Sequence, residues 1–171
     1  MHLLLSLALA APPAVPPKNV VLADLGLHVI GLGYQRTFTP HVTGQLSLNL
    51  YVPWTQNLDP FGVFGVERDV AGVVLRARVY AFPFGAAPSG MWISPFVQGG
   101  PAQATRDGAR QLGSAWAGGL SVGYAGVVAR HLHLSVGCGG QYHAAIIPDD
   151  ATAPSFHNLF PTVDLGVGYA F

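Results

Sequence analysis

The stretch from Phe160 to Phe171, FPTVDLGVGYAF, constrains this chain most, because it alternates without a break. Val163, Leu165, Val167, Tyr169 and Phe171 share one parity, and Thr162, Asp164, Gly166, Gly168 and Ala170 share the other. Successive strand side chains point to opposite faces, so this spelling gives one continuous apolar face ending in aromatics and one small or polar face. The same period recurs upstream. Val42, Leu46, Leu48, Leu50 and Val52 alternate with Thr43, Gln45, Ser47, Asn49 and Tyr51. Val73, Leu75, Ala77, Val79 and Ala81 alternate with Val74, Arg76, Arg78 and Tyr80. Leu132, Leu134, Val136 and Tyr142 alternate with His133, Ser135, Gly137, Gln141 and His143. No stretch carries a 3.6-residue period, so the expected class is all-β.

Alternation alone does not say which face meets water; composition does. Only 9% of the 171 residues are charged, against about 25% in ordinary soluble domains. That is too few for a wetted surface. No apolar run reaches the roughly 18 residues of a membrane helix, so a bilayer solution has to be built from strands. The polar parity is rich in Gly, Ser and Ala, which suits a narrow barrel interior better than a solvated face. A formal net charge of zero and a single lysine, Lys18, argue against a nucleic-acid partner, which needs a basic face. The lone Cys138 makes no internal disulfide and has no zinc spacing around it. Its parity with Leu134 and Val136 predicts an inert thiol on the apolar face.

Turn signals divide the chain into strands near 19–26, 29–38, 42–53, 70–83, 91–100, 114–127, 131–143 and 160–171. Eight is an even number, as single-chain bacterial barrels require. Connections at 39–41, 85–90 and 129–130 are short, and those at 54–69, 101–113 and 144–159 are long, which is the rim asymmetry of such barrels. Trp54, Trp92, Trp116, Tyr34, Tyr142, Tyr169 and Phe171 fall near strand ends, where an aromatic girdle would sit. Pro95 cannot donate to a ladder, so a bulge is expected there. At the other end, Leu3 to Ala11 is a short apolar core with Ala8 and Ala10 in an A-x-A arrangement, expected to be a signal peptide over residues 1–11 although Met1-His2 lacks the usual cation. No cysteine follows the core, which argues against a lipoprotein anchor. Residues 12–18 then form a stiff Pro-rich spacer, and 19–171 the barrel.

The closing alternation and terminal aromatic resemble the last strand of bacterial outer-membrane β-barrels. From Lys18 onward the chain resembles the small eight-stranded members, including families opening with a Lys-Asn-apolar hairpin, here Lys18-Asn19-Val20-Val21, and a Tyr-x-Arg turn, here Tyr34-Gln35-Arg36. The resemblance implies an eight-stranded antiparallel up-and-down transmembrane β-barrel, exported to the outer membrane. It further implies Leu165, Val167, Tyr169 and Phe171 as an insertion signal read by the barrel-assembly machinery, with membrane lipid as the other partner and a monomeric state. Members of the fold serve as anchors, adhesion or resistance proteins and, in a few cases, lipid-modifying enzymes, so fold leaves activity open.

Asp24, Arg76, Arg78 and Asp164 are charges inside the expected strands. Each lies about five to eight residues from the short-turn rim, which puts them in one layer at roughly 3.3 Å per residue. Asp24 and Asp164 belong to strands that meet at closure, and the arginines lie on the opposite wall. An interior ionic plug is expected, because pairing offsets the cost of burying each charge. His133-Leu134-Ser135 places a base and a hydroxyl on one face and resembles the H-x-S pair of outer-membrane lipid A deacylases. That makes a lipid hydrolase or acyltransferase the alternative function, although no carboxylate follows at a matching spacing. His131, His133 and His143 could share a face, yet no acid is spaced to complete a metal site. No metal or cofactor is expected. The leading expectation is a plugged barrel acting structurally or through its loops; a soluble exported barrel holding a small apolar ligand is a further alternative.

Overall fold

The computed structural model describes residues 16–51, 70–106, 109–147 and 156–171. They form β1 (Asn19–Gly26), β2 (Val29–Thr39), β3 (Val42–Tyr51), β4 (Val70–Ala86), β5 (Ser89–Arg106), β6 (Ala109–Val128), β7 (Leu132–Ile146) and β8 (Phe156–Ala170). Each strand pairs antiparallel with the next, and β8 returns to β1 to close the barrel. Closure runs from Val20↔Ala170 to Gly26↔Asp164. Phe171 and Asn19 extend it by exchanging backbone hydrogen bonds of 2.9 and 3.0 Å. No edge strand is left to template pairing with another chain.

The period-2 spelling decides which side chain goes where, and the result inverts a soluble protein. Leu32 is 70% exposed and Leu159 71%, whereas Arg76 is 1% exposed and Asp24 3%. The polar parity faces the lumen on β1, β3, β4, β7 and β8. A soluble barrel holding an apolar ligand needs the opposite arrangement. Cys138 lies on the outward face and is exposed.

One rim carries the tight turns Pro40–His41, Ala87–Pro88 and Ala129–His131 together with Asn19 and Phe171. The other carries the 27–28 connection and the strand ends at Tyr51, Val70, Arg106, Ala109, Ile146 and Phe156. Three expectations need correction. The stretch 101–113 is not a long connection, since the β5–β6 ladder runs on from Pro101↔Ser114 to Arg106↔Ala109. Polar outward residues such as the exposed Gln103 and Arg110 end the apolar parity there, but backbone pairing does not require apolar side chains. β7 and β8 likewise extend into 144–159. The 85–90 connection shrinks to Ala87–Pro88, because Ala86 pairs with Ser89; Gly85 and Gly90 flank it at φ 119° and 123°, a conformation that suits glycine.

Pro95 pairs in register with Leu120, and on its other side the ladder passes from Arg78↔Phe96 to Ala81↔Ile93 without a shift. The bulge lies between Ala81 and Phe84, where Pro83 interrupts the donors. Trp92 also departs from the expected girdle. It shares parity with Ser94 and Phe96, points inward and is 1% exposed. Trp116, Tyr34, Tyr142, Tyr169 and Phe171 do face outward, and Trp54 lies outside the described residues.

The lumen is filled in layers. At the turn rim, Tyr80, Phe82, Ala87, Trp92 and Ala125 make an apolar floor, joined by Val20, Leu22 and Ala170. The Ala87–Pro88 turn is buried and tied to the β2–β3 turn by Ala87 N–H to the Pro40 carbonyl, 2.8 Å. Trp92 fits only because β6 and β7 present Gly123 and Gly137 beneath its ring, where an added methyl would overlap the indole. Toward the opposite rim a second apolar layer contains Val29, Tyr51, Val74, Ile147 and Phe160. Between the two lies a polar layer.

Candidate functional site

The polar layer is organised by β4. Arg76 and Arg78 are two residues apart on its inward face, so both guanidinium groups enter the lumen at neighbouring heights. Arg78 grips Asp164 on β8 with two hydrogen bonds, Nη1 to Oδ1 at 2.8 Å and Nη2 to Oδ2 at 3.0 Å. That is the bidentate fork geometry that makes Arg–carboxylate pairs strong and directional. Arg76 bridges both acids through Nη1, to Asp24 Oδ1 at 3.3 Å and Asp164 Oδ1 at 3.4 Å. The structure therefore brings the four charges from β1, β4 and β8 into one network whose formal charge is zero.

Neutral partners complete it. Ser47 donates to Asp24 Oδ2, Gln98 accepts from Arg76 Nε at 2.8 Å, and Ser94 and Ser121 accept from Arg78 Nε and Nη2 at 3.2 and 2.7 Å. The Phe96 ring lies 4.8 Å from the Arg76 guanidinium and 5.0 Å from that of Arg78, and such faces attract desolvated cations. Tyr80 donates to Gln45 at 2.7 Å beside Arg78. Sequence reasoning did not assign these partners, although their signal was present: every one sits on the inward parity of its strand.

His133 and Ser135 both border a cavity of about 10 Å³ that also touches Asp24 and Asp164. Barrel closure thus supplies carboxylates near the pair that chain spacing concealed. No hydrogen bond joins His133 to Ser135, however, and Asp164 is held by the two arginines. The cavity has room for about one water, not an ester. A nucleophile, base and orienter in mutual contact with a reachable carbonyl are required for acyl transfer, and this arrangement lacks that contact.

The remaining histidines do not converge. His131 lies at the turn rim, its Nδ1 2.9 Å from the Ala170 carbonyl and its ring stacked on Tyr169 at 5.0 Å. His143 sits at the far rim, its ring 5.2 Å from Tyr51 and 5.5 Å from His28. Among the described residues no group of three His, Cys, Asp or Glu is placed to hold a metal ion. On the closing strand Leu165, Val167, Tyr169 and Phe171 are 44, 48, 56 and 54% exposed, forming one outward stripe, with Tyr169 stacked on Phe171 at 6.2 Å.

No family model and no curated protein sequence matches this chain. Among solved structures, the N-terminal β-barrel domain of Pseudomonas aeruginosa OprF superposes with a TM-score of 0.51 at 15% identity, covering 92% of this chain and all of that domain. At that identity the likeness is one of fold. The chain is a closed, eight-stranded, antiparallel up-and-down barrel, the fold of that domain.

Proposed function

We propose that this protein spans the bacterial outer membrane as a monomeric barrel with a closed lumen, and serves as a structural or surface-interaction element through its loops rather than as a pore or an enzyme. The observation that carries the proposal is the inversion of polarity between wall and lumen. Leucines, valines and isoleucines on all eight strands face outward, while arginine, aspartate, glutamine and serine face in. From Trp116 to Val128 the outward face of β6 covers about 40 Å of strand, or about 30 Å along the axis at a tilt of roughly 40°, enough for a hydrophobic band of about 25 Å. In water such a wall would be a single large apolar patch, a standing aggregation hazard. In lipid it is the expected solvent-facing surface.

The closed lumen is supported by the apolar floor, the ionic layer and the upper aromatic layer stacked along the axis. The test is twofold. Membrane fractionation should place the protein in the outer membrane with heat-modifiable gel mobility, and planar-bilayer recordings of purified monomer should show no large, stable conductance. A soluble protein, or a steady open channel, would contradict the respective half of the proposal. The outward stripe ending at Phe171 is proposed as the signal for the assembly machinery. Deleting Phe171 should lower the amount of assembled barrel while leaving export across the inner membrane unchanged.

A further inference from the structure

We propose that the turn rim binds an anionic glycerophospholipid, its phosphate held between Lys18 and Arg36; this rests on the membrane reading above. Charge is distributed along the axis in a way that the zero total hides. Among the described residues the turn rim carries Lys18, Arg36 and Arg130 and no acidic side chain. The lumen charges cancel one another. Among the described side chains the charge of the turn rim is therefore cationic.

Geometry turns two of these cations into a site. The chain before β1 runs beside the end of β2, fixed by the Thr37 N–H donating to the Lys18 carbonyl at 2.8 Å. Between that segment, the β2–β3 turn and the β4–β5 turn lies a groove of about 510 Å³, lined by Pro16, Pro17, Lys18, Arg36, Phe38 and Pro40 among others. Lys18 and Arg36 are exposed, and neither forms a salt bridge among the described residues. Apart from Thr37 and Thr39 the rest of the lining is apolar, with Phe38 66% exposed. The outward face then continues from Arg36 through Tyr34 and Leu32, 43 and 70% exposed, into the apolar wall.

That sequence of surfaces, cations at the rim and hydrocarbon immediately above, matches a phospholipid better than a free phosphate or an acidic peptide. The phosphate gains two charge-assisted partners, one of them able to form a fork. The acyl chains gain the wall past Tyr34 and Leu32. An acidic peptide would have no use for the apolar continuation, and a soluble phosphate would leave it bare.

The test equilibrates the full-length detergent-solubilised protein with an equimolar mixture of phosphatidylglycerol and phosphatidylethanolamine of matched chains and reads bound lipid by native mass spectrometry. Wild type should retain phosphatidylglycerol roughly tenfold or more over phosphatidylethanolamine, the scale set by two cations near an anionic head group. Lys18→Gln with Arg36→Gln should abolish the preference, Arg36→Lys should keep most of it, and Arg130→Gln, on the same rim but outside the groove, should keep all of it. Heat-modifiable mobility verifies that each variant is folded. Equal retention of both lipids by wild type, or an unchanged preference in the double variant, would overturn the proposal, as would displacement of the lipid by equimolar glycerol 3-phosphate. If wild type enters phosphatidylcholine vesicles yet shows no preference, only the lipid site fails. If it enters no vesicle of any composition, the membrane reading fails and takes the site with it.

Discussion

β4 and β6 present nearly interchangeable outward faces and opposite inward ones. Outside, Val73, Leu75 and Val79 on β4 match Leu120, Val122 and Val128 on β6 in kind and in exposure. Inside, β4 offers Arg76, Arg78, Tyr80 and Phe82, and β6 offers Gly119, Ser121, Gly123 and Ala125. The outward faces pack against no other part of the chain, so their apolar shapes are not matched to a partner wall. The inward faces meet each other across an interior just wide enough for side chains, so bulk on one wall demands its absence on the other. Gly119 yields to Phe96 and Gly123 to Trp92, and Ser121 completes the Arg78 fork instead of occupying its volume.

The largest expected effect comes from the wall that carries the charges. Arg78→Met leaves Asp164 without its two fork donors in a desolvated layer, and breaking a buried pair in this way costs about 3–5 kcal/mol. Combined with Asp164→Asn, the loss should fall well short of the sum of the single changes, because members of one network are not additive. A double-mutant cycle by urea unfolding in lipid reads this directly. Strict additivity would mean the two side chains do not share a network.

A charge placed on the outward face tests the other half of the comparison. Leu120→Arg on β6 or Leu75→Arg on β4 should each cost about 2–4 kcal/mol near the bilayer midplane, with little difference between the two strands. A large cost on one strand and none on the other would show that the outward faces are not equivalent.

The smallest effect concerns fit on the small wall. Gly123→Ala would press its methyl against the Val136 carbonyl as well as the Trp92 indole, costing about 1–3 kcal/mol as other overpacked cores do, and Trp92→Leu should relieve only the indole's share. On the outward face a methyl added at Gly118 would meet nothing nearer than 3.7 Å, so Gly118→Ala should change stability by less than about 0.5 kcal/mol. Equal costs at Gly118 and Gly123 would remove the distinction between the faces.

Much of this was legible before any coordinates. A strand at a two-layer boundary leaves its signature in every second residue, and that signature located eight strands, gave the bounds of β1, and assigned Arg76, Arg78, Asp24 and Asp164 to the lumen side. It lapsed where outward residues became polar, and so the β5–β6 hairpin beyond Gly100 read as a loop. It also misled where chemical type was weighed above parity, as with Trp92, whose amphipathic ring suggests an interface although its even position points it inward.

Sequence alone determined the all-β class, the strand number and the two-faced character of the wall, because these follow from local stereochemistry and from composition that water would not tolerate. Tertiary structure decided everything that depends on closure. Asp24 and Asp164 lie far apart in the chain and meet only because β8 pairs with β1; which arginine forks which carboxylate depends on stagger around the barrel, a quantity no single strand contains. The cationic groove at the turn rim has the same origin. Lys18 and Arg36 become neighbours through the β1–β2 register, and the wall that completes their site arrives from the β4–β5 turn, brought there by strand pairing and not by any local preference of its residues.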